Sequence, residues 1–350
     1  MSIENLARPE MRDLHSYETA AQVDGALRLH ANEAPESSNT LNRYPEIRPA
    51  ALQSRLADRF GVSPGNILAT RGSSEAIDLL IRTFCRAGED SIVVTPPTFA
   101  MYRVYAAIQG AATVSCPLLA EKEFALDAES ITTSCATSSK LIFVCSPNNP
   151  TGNVVPRSEI IRLLEARRDQ SIIVVDEAYI EFSDTGSLAG LVRVYENLVV
   201  LRTLSKALAL AGARCGAVIG STALIRMLNG VLAPYALATP VIECVMQALS
   251  ADQSESAENR IKVVVAERER VRNQLATNPD VQKVWPSEAN FLLVQFRDLG
   301  EVQSRLQSRR ILIRDFNGSP GLENCARITV GSPDDNSRLL SALNQHEDDS

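Results

Sequence analysis

From residue 65 to residue 220, short runs of Val, Ile and Leu alternate with longer segments in which apolar positions recur every three or four residues. Runs apolar on both faces suit strands of a covered parallel sheet, and the intervening helical period supplies the cover. SIVVT (91–95), TVSC (113–116), KLIFVC (140–145), IIVVD (172–176), NLVVL (197–201) and GAVIG (216–220) are the strand candidates. Between 74 and 88, Ile77, Leu80, Ile81 and Phe84 fall at i, i+3, i+4 and i+7. Ser73 or Ser74 is placed to cap that helix, and Gly88 follows its end. Pro156 opens a second crossover helix carrying Ile160, Leu163 and Leu164. Past residue 250 the pattern changes to a long charged helix (256–276) with Ile261, Val264, Val265 and Val271 inward. Strands NFLLVQF, ILIRDF and ARITVG and two more helices follow, which predicts a second, α+β domain. ERER (267–270) reads as a solvated helix face.

Composition narrows the function. A chain of 350 residues, 45% apolar and 22% charged, holds about two domains and is not disordered. Lys and Arg number 35 against 42 Asp and Glu, so there is no basic surplus for a nucleic-acid backbone, and small molecules are the expected partners. The seven cysteines are never closer than ten residues, which excludes a CxxC pair or zinc knuckle and fits reduced thiols in cytoplasm. The three histidines, His15, His30 and His346, lie near the chain ends, so a histidine metal cluster or a Ser/His/Asp triad is hard to assemble. No metal is expected. The first residues mix both charge signs without an apolar run, so the chain is expected to be soluble and not bound to a membrane.

Chemistry concentrates in six segments. Lys206 in TLSKALALAGARCG stands between an apolar strand and a small-residue stretch, where burial lowers an amine's pKa and leaves it free to attack a carbonyl. Asp176 ends the run IIVVD, at the sheet edge where ligands sit; an ionised carboxylate there keeps a pyridinium ring protonated. Tyr179, three residues on, can reach such a ring's phenolic oxygen, and so can Asn149, held between two prolines in SPNNPTG (146–152). Ser73 and Ser74 open a helix whose free N–H groups attract a phosphate, and Arg214 can add a charged fork. Arg314 in ILIRDF and Arg327 in RITVG are the candidates for a substrate anion.

These residues, in the company of LHANEAP (29–35), RYP (43–45), TRGSSEAIDLLIR (70–82) and PPTFAMY (96–102), resemble the fold-type I pyridoxal-phosphate aminotransferases, and within them those acting on histidinol phosphate. The blocks occur in the same order over nearly the whole chain. The resemblance implies an α/β fold, with a mostly parallel seven-stranded sheet in a large domain and a smaller α+β domain. It further implies an N-terminal arm over 1–43 contributing to the small domain and a dimer, a large cofactor domain over 44–248 and a small domain over 249–350. Pyridoxal 5'-phosphate is the implied cofactor, tethered as an imine by Lys206, with Asp176 at the ring nitrogen and Asn149 and Tyr179 at the phenolic oxygen. Tyr102 would stack on the ring. Ser73, Ser74, Ser205 and Arg214 would hold the phosphate, with Tyr44 supplied by the partner of a homodimer. Tyr17 and Asn32 would stand near the entrance.

The implied reaction is transamination between histidinol phosphate and 2-oxoglutarate, giving imidazole acetol phosphate and glutamate in cytoplasmic histidine biosynthesis. The alternatives are an aromatic or broad-specificity aminotransferase, or a threonine-phosphate decarboxylase, of the same fold; a regulatory ligand sensor would lack turnover. One departure is visible: Ser74 stands where the family usually shows an acidic residue before the glutamate of the phosphate loop.

Overall fold

The structure is a computed structural model, and it describes residues 3–12, 14, 26–37 and 40–344. Seven strands form one sheet: β1 (Ile67–Thr70), β2 (Ser91–Val94), β3 (Ala112–Ser115), β4 (Ser139–Cys145), β5 (Ile172–Asp176), β6 (Leu198–Thr203) and β7 (Gly216–Ile219). Their order is β1-β7-β6-β5-β4-β2-β3; β7 runs antiparallel to both neighbours and the other pairs are parallel. Strands β8 (Val281–Val284), β9 (Phe291–Phe296), β10 (Arg314–Asp315) and β11 (Cys325–Thr329) make a second, wholly antiparallel sheet in the order β10-β11-β9-β8. The helices are α1 (Pro9–Arg12), α2 (Ala50–Phe60), α3 (Gly72–Phe84), α4 (Met101–Gln109), α5 (Ala128–Ser134), α6 (Arg157–Ala166), α7 (Thr222–Val231), α8 (Thr239–Ala248), α9 (Ala251–Leu275), α10 (Leu299–Ser308) and α11 (Pro333–Asn344).

The large sheet is covered on both faces, as its unbroken apolar runs require. Ile142, Val144, Ile173, Val175 and Val200 enter one core with α2 and α6. Leu141, Phe143, Ile172, Val174 and Val199 enter the other, with α3, α4 and α7. The strand period of two therefore sends Asp176, in step with Ile172 and Val174, toward the α3–α4 side, while Glu177 follows Val175 to the opposite side. Glu177 accepts a hydrogen bond from Leu188 N at 2.7 Å and faces Arg202 at 3.5 Å.

Four expectations change. Strands β1 and β8 have no counterpart among the sequence candidates, and ILIRDF contributes only two residues of strand, with Leu312 83% exposed. Residues 3–12 rest on the large domain: Ile3, Leu6 and Ala7 join the α3–α7 core, and Arg8 donates to the carbonyls of Thr83 and Arg82. The ERER run is not a solvated face. Helix α9 crosses from one domain to the other, and there Arg268 is buried, its Nη1 donating to the carbonyls of Phe182 and Ala289 at 3.0 Å each. The serines do not cap α3, whose N-cap residue is Arg71 and whose first turn contains them.

The small domain touches the large one where the loop after β4 turns back. Glu288 N donates to Gly152 O at 2.8 Å, and Gly152, at φ +80°, lies so close to Ser287 that any side chain would collide with it.

Candidate active site

The C-terminal ends of β4, β5 and β6 open on a cavity of about 160 Å³, the position at which open parallel sheets bind ligands. Ser73, Ser74, Asn149, Asp176, Tyr179, Ser205, Lys206 and Arg214 all line it. Eight residues from four separate segments of sequence thus meet around one space.

Asp176, the last residue of β5, is 3% exposed. Its Oδ2 accepts a hydrogen bond from the Tyr102 hydroxyl at 2.8 Å, and its Oδ1 accepts one from Ala178 N at 3.2 Å. Burial pushes its carboxyl up to about 6, against the downward pull of Tyr102, Ala178 N–H and Lys206. Lys206 Nζ lies 5.7 Å from the centre of the Tyr179 ring. Its ammonium is held below the ordinary lysine value by partial removal from water and by the charges of Arg327 and Arg214, with Asp176 opposing. An amine so placed is poised to lose its proton, and the carboxylate beside it is available to a cation.

At the other end of the cavity α3 begins. Arg71 offers no side-chain cap, and Glu75, buried at the helix start, accepts from Arg71 N at 2.7 Å and pairs with its guanidinium. The first-turn N–H groups at Ser73 and Ser74 therefore have neither an intrahelical partner nor a capping side chain. Arg214, at φ +53°, brings its guanidinium against this turn: a Cβ on Gly72 would lie 2.9 Å from its Nη2. The Nη1 of Arg214 donates to Ser205 Oγ at 3.3 Å and Ala211 O at 3.1 Å. Helix N–H groups, helix dipole and guanidinium converge there, a setting suited to an anion.

Asn149 brings the small domain in, because its side-chain oxygen accepts a hydrogen bond from Arg327 Nη1. The Arg327 guanidinium lies over Phe291 (5.2 Å) and Phe316 (5.8 Å), and its buried Nε has no hydrogen-bond partner. Arg314 pairs with Arg327 across β10–β11 but is exposed and does not line the cavity. Asn32 is exposed, outside the cavity lining. Tyr44 stacks on Tyr235 of its own chain at 4.6 Å and is 49% exposed. Tyr17 lies outside the described residues.

Tyr102 does not have a free face for stacking. It is fully buried, its ring lying 4.7 Å from Phe143 at 15° and edge-on to Phe99 at 5.6 Å, with its hydroxyl spent on Asp176. From the same PPTFAMY block it is Phe99, three positions earlier and just ahead of α4, that lines the cavity, together with Tyr179. Sequence reasoning also passed over Glu33, whose side chain gathers Arg28 Nη2 (2.6 Å), Arg43 Nη1 (2.8 Å) and Tyr44 N (2.8 Å) and so fixes the segment around RYP. A single glutamate that meets two arginines and a tyrosine five to eleven residues away carries no pattern by which it could be picked out.

Residues 13–343 match the family "Aminotransferase class I and II". The histidinol-phosphate aminotransferase of Aeromonas salmonicida is 43% identical over 353 residues, which is 98% of each chain. That of Serratia proteamaculans is 42% identical, over 98% of this chain and 96% of its own. Among solved structures, histidinol-phosphate aminotransferase from Sinorhizobium meliloti in complex with pyridoxal-5'-phosphate superposes with a TM-score of 0.79 at 22% identity, covering 87% of this chain and 83% of that one. With nearly full-length identity above 40% added to a site of this composition, the chain belongs to the class I and II aminotransferases and, within them, to the histidinol-phosphate aminotransferases.

Proposed function

We propose that the cavity described above carries out transamination between histidinol phosphate and 2-oxoglutarate, with Lys206 as the reacting amine. The observation that carries this reading is the convergence of Lys206, Asp176 and Arg214 on one cavity whose far end is an uncapped helix N-terminus. That arrangement fits pyridoxal 5'-phosphate: an amine for its aldehyde, a buried carboxylate for its ring nitrogen and an anion site for its phosphate. When bound, this group supplies an aldehyde that exchanges amino groups and a cationic ring that draws electrons from the substrate carbon.

Lys206 would hold the group through its amine and, when that amine is free, would move a proton to and from the substrate carbon. Its lowered proton affinity suits that exchange. Asp176 would keep the ring nitrogen protonated, and Asn149 and Tyr179 would hold the phenolic oxygen. Backbone N–H groups of Ser73 and Ser74, with Ser205 and Arg214, hold the phosphate; the serine at 74 leaves those backbone donors in place. Phe99 supplies the ring-facing wall. Arg327, with an unused buried N–H, takes the anion of either substrate, and Arg314 across the ladder adds charge at its approach. Asn32 belongs to the entrance, and Tyr44 to the phosphate site of a partner chain, so the enzyme acts as a homodimer; its seven free thiols fit the cytoplasm. The division at about residues 44 and 249 separates arm, cofactor domain and small domain. Among the described residues no helix is long and apolar enough to cross a membrane.

Purified enzyme mixed with histidinol phosphate is expected to lose the visible absorbance of the bound cofactor, and 2-oxoglutarate is expected to restore it. Phenylalanine should act far more slowly. A larger rate with phenylalanine, or release of carbon dioxide in place of amino transfer, overturns the substrate assignment. In solution the mass should be that of two chains.

A further inference from the structure

The hydroxyl of Tyr102 is committed to Asp176 at 2.8 Å, and everything about the tyrosine's setting serves to keep it there. Tyr102 stands in the first turn of α4, is fully buried, and has its ring fixed by Phe143 from β4 on one face and Phe99 at its edge. A ring clamped this way has a single position for its donor. The second oxygen of Asp176 has its own donor, Ala178 N, at 3.2 Å. With one donor on each oxygen, the carboxylate is held in a single orientation and its charge is compensated inside the protein.

We propose that Tyr102 is a positioning residue for the reaction: its buried hydroxyl holds Asp176 ionised and in one orientation at the cavity, so that the cofactor's ring nitrogen meets an anion and not a neutral acid. This rests on the cofactor reading given above.

The other groups facing Asp176 do not perform this task. The Cys145 thiol, at the end of β4, donates to Pro147 O at 3.3 Å. Tyr179, past the end of β5, and Lys206, after β6, line the same cavity, and Lys206 is the amine committed to the cofactor. Burial drives Asp176 toward its protonated form, and the Tyr102 hydroxyl is the first of the contacts that oppose this.

The test is the affinity of the cofactor-free protein for pyridoxal 5'-phosphate, measured by equilibrium dialysis across a range of pH, in the parent and in Tyr102→Phe. The variant keeps the ring and both aromatic contacts and loses only the donor. The acid limb, along which affinity falls as Asp176 takes up a proton, is expected to move upward by about one pH unit, a tenfold loss of affinity on that limb. In an Asp176→Asn background, Tyr102→Phe is expected to change nothing, because no charge remains to be held. An acid limb that superposes on the parent's, or an equal loss of affinity in both backgrounds, overturns the proposal while leaving the cofactor reading intact. Failure of the parent protein itself to bind pyridoxal 5'-phosphate overturns both.

Discussion

Arg327 of the small sheet donates a hydrogen bond to the side-chain oxygen of Asn149 in the loop after β4, so the two domains meet on a residue that lines the cavity. The guanidinium is lodged over Phe291 and Phe316 and still has a buried N–H without a partner. A planar fork of that kind is built for a carboxylate or phosphate, and a lysine cannot reproduce it. Arg327→Lys is therefore expected to raise the Michaelis constants for histidinol phosphate and glutamate together, by on the order of tenfold or more. The exposed Arg314 should matter less: Arg314→Ala is expected to raise them only a few-fold, roughly what a solvent-screened charge contributes. Steady-state kinetics with both substrates checks this, and unchanged constants in Arg327→Lys contradict it.

Asp176 makes the cofactor-free protein less stable. Its carboxyl is pushed from 3.8 up to about 6, chiefly by burial, so between those pH values the folded state holds a proton that the unfolded chain releases. Stability is then fully present on the acid side and is lost as pH rises through that window; Glu177, pushed from 4.5 up to about 7, extends the loss toward neutrality. Asp176→Asn, which keeps an oxygen for the Tyr102 hydroxyl, is expected to melt higher than the parent at neutral pH when no cofactor is present, by about 2–3 kcal/mol at most. The difference should vanish below about pH 4. Thermal melts of the cofactor-free proteins at several pH values decide it, and equal melting at neutral pH is the contrary result.

Two glycines behind the start of α3 should respond differently to alanine. At Gly72 (φ +74°) the new Cβ meets Arg214 Nη2 at 2.9 Å, the movable end of a side chain, so Gly72→Ala displaces the guanidinium. It should lower cofactor affinity by roughly tenfold and stability by about 1–2 kcal/mol, the strain of a left-handed backbone. At Gly216 the Cβ would lie 2.7 Å from Arg202 O and 2.9 Å from both Gly72 C and Ser73 N, all backbone atoms. Gly216→Ala should therefore cost more stability than Gly72→Ala, about 3 kcal/mol or more, because strand and helix start must move apart. Melting curves with equilibrium dialysis test the contrast; the reverse order contradicts it.

Much of this was legible in the chain, and the exceptions share a physical cause. β5 spans the residues its apolar run predicts, and each of the eight cavity residues named from the sequence lines the cavity. Long apolar runs and motifs fixed to strand ends are local signals, and local signals survive folding. Tyr102 and Phe99 were exchanged because both sit in PPTFAMY, and which ring faces the cavity depends on where α4 begins, a matter of one turn. Arg268 could not be distinguished from its neighbours in ERER, since its burial arises only where α9 meets Phe182 and Ala289, partners 86 and 21 residues away. β1 was missed because ILAT is four residues without alternation, recognisable as a strand only once β7 lies beside it.

The central claim is that the side chain of Lys206 forms the covalent link to the cofactor, and reduction with borohydride followed by peptide mass spectrometry tests it most directly. A pyridoxyl phosphate mass is expected on the peptide containing Lys206 and is lost in Lys206→Ala, whose turnover should fall by on the order of 10⁴ or more. A label on another lysine, or no label in a catalytically active preparation, would contradict it.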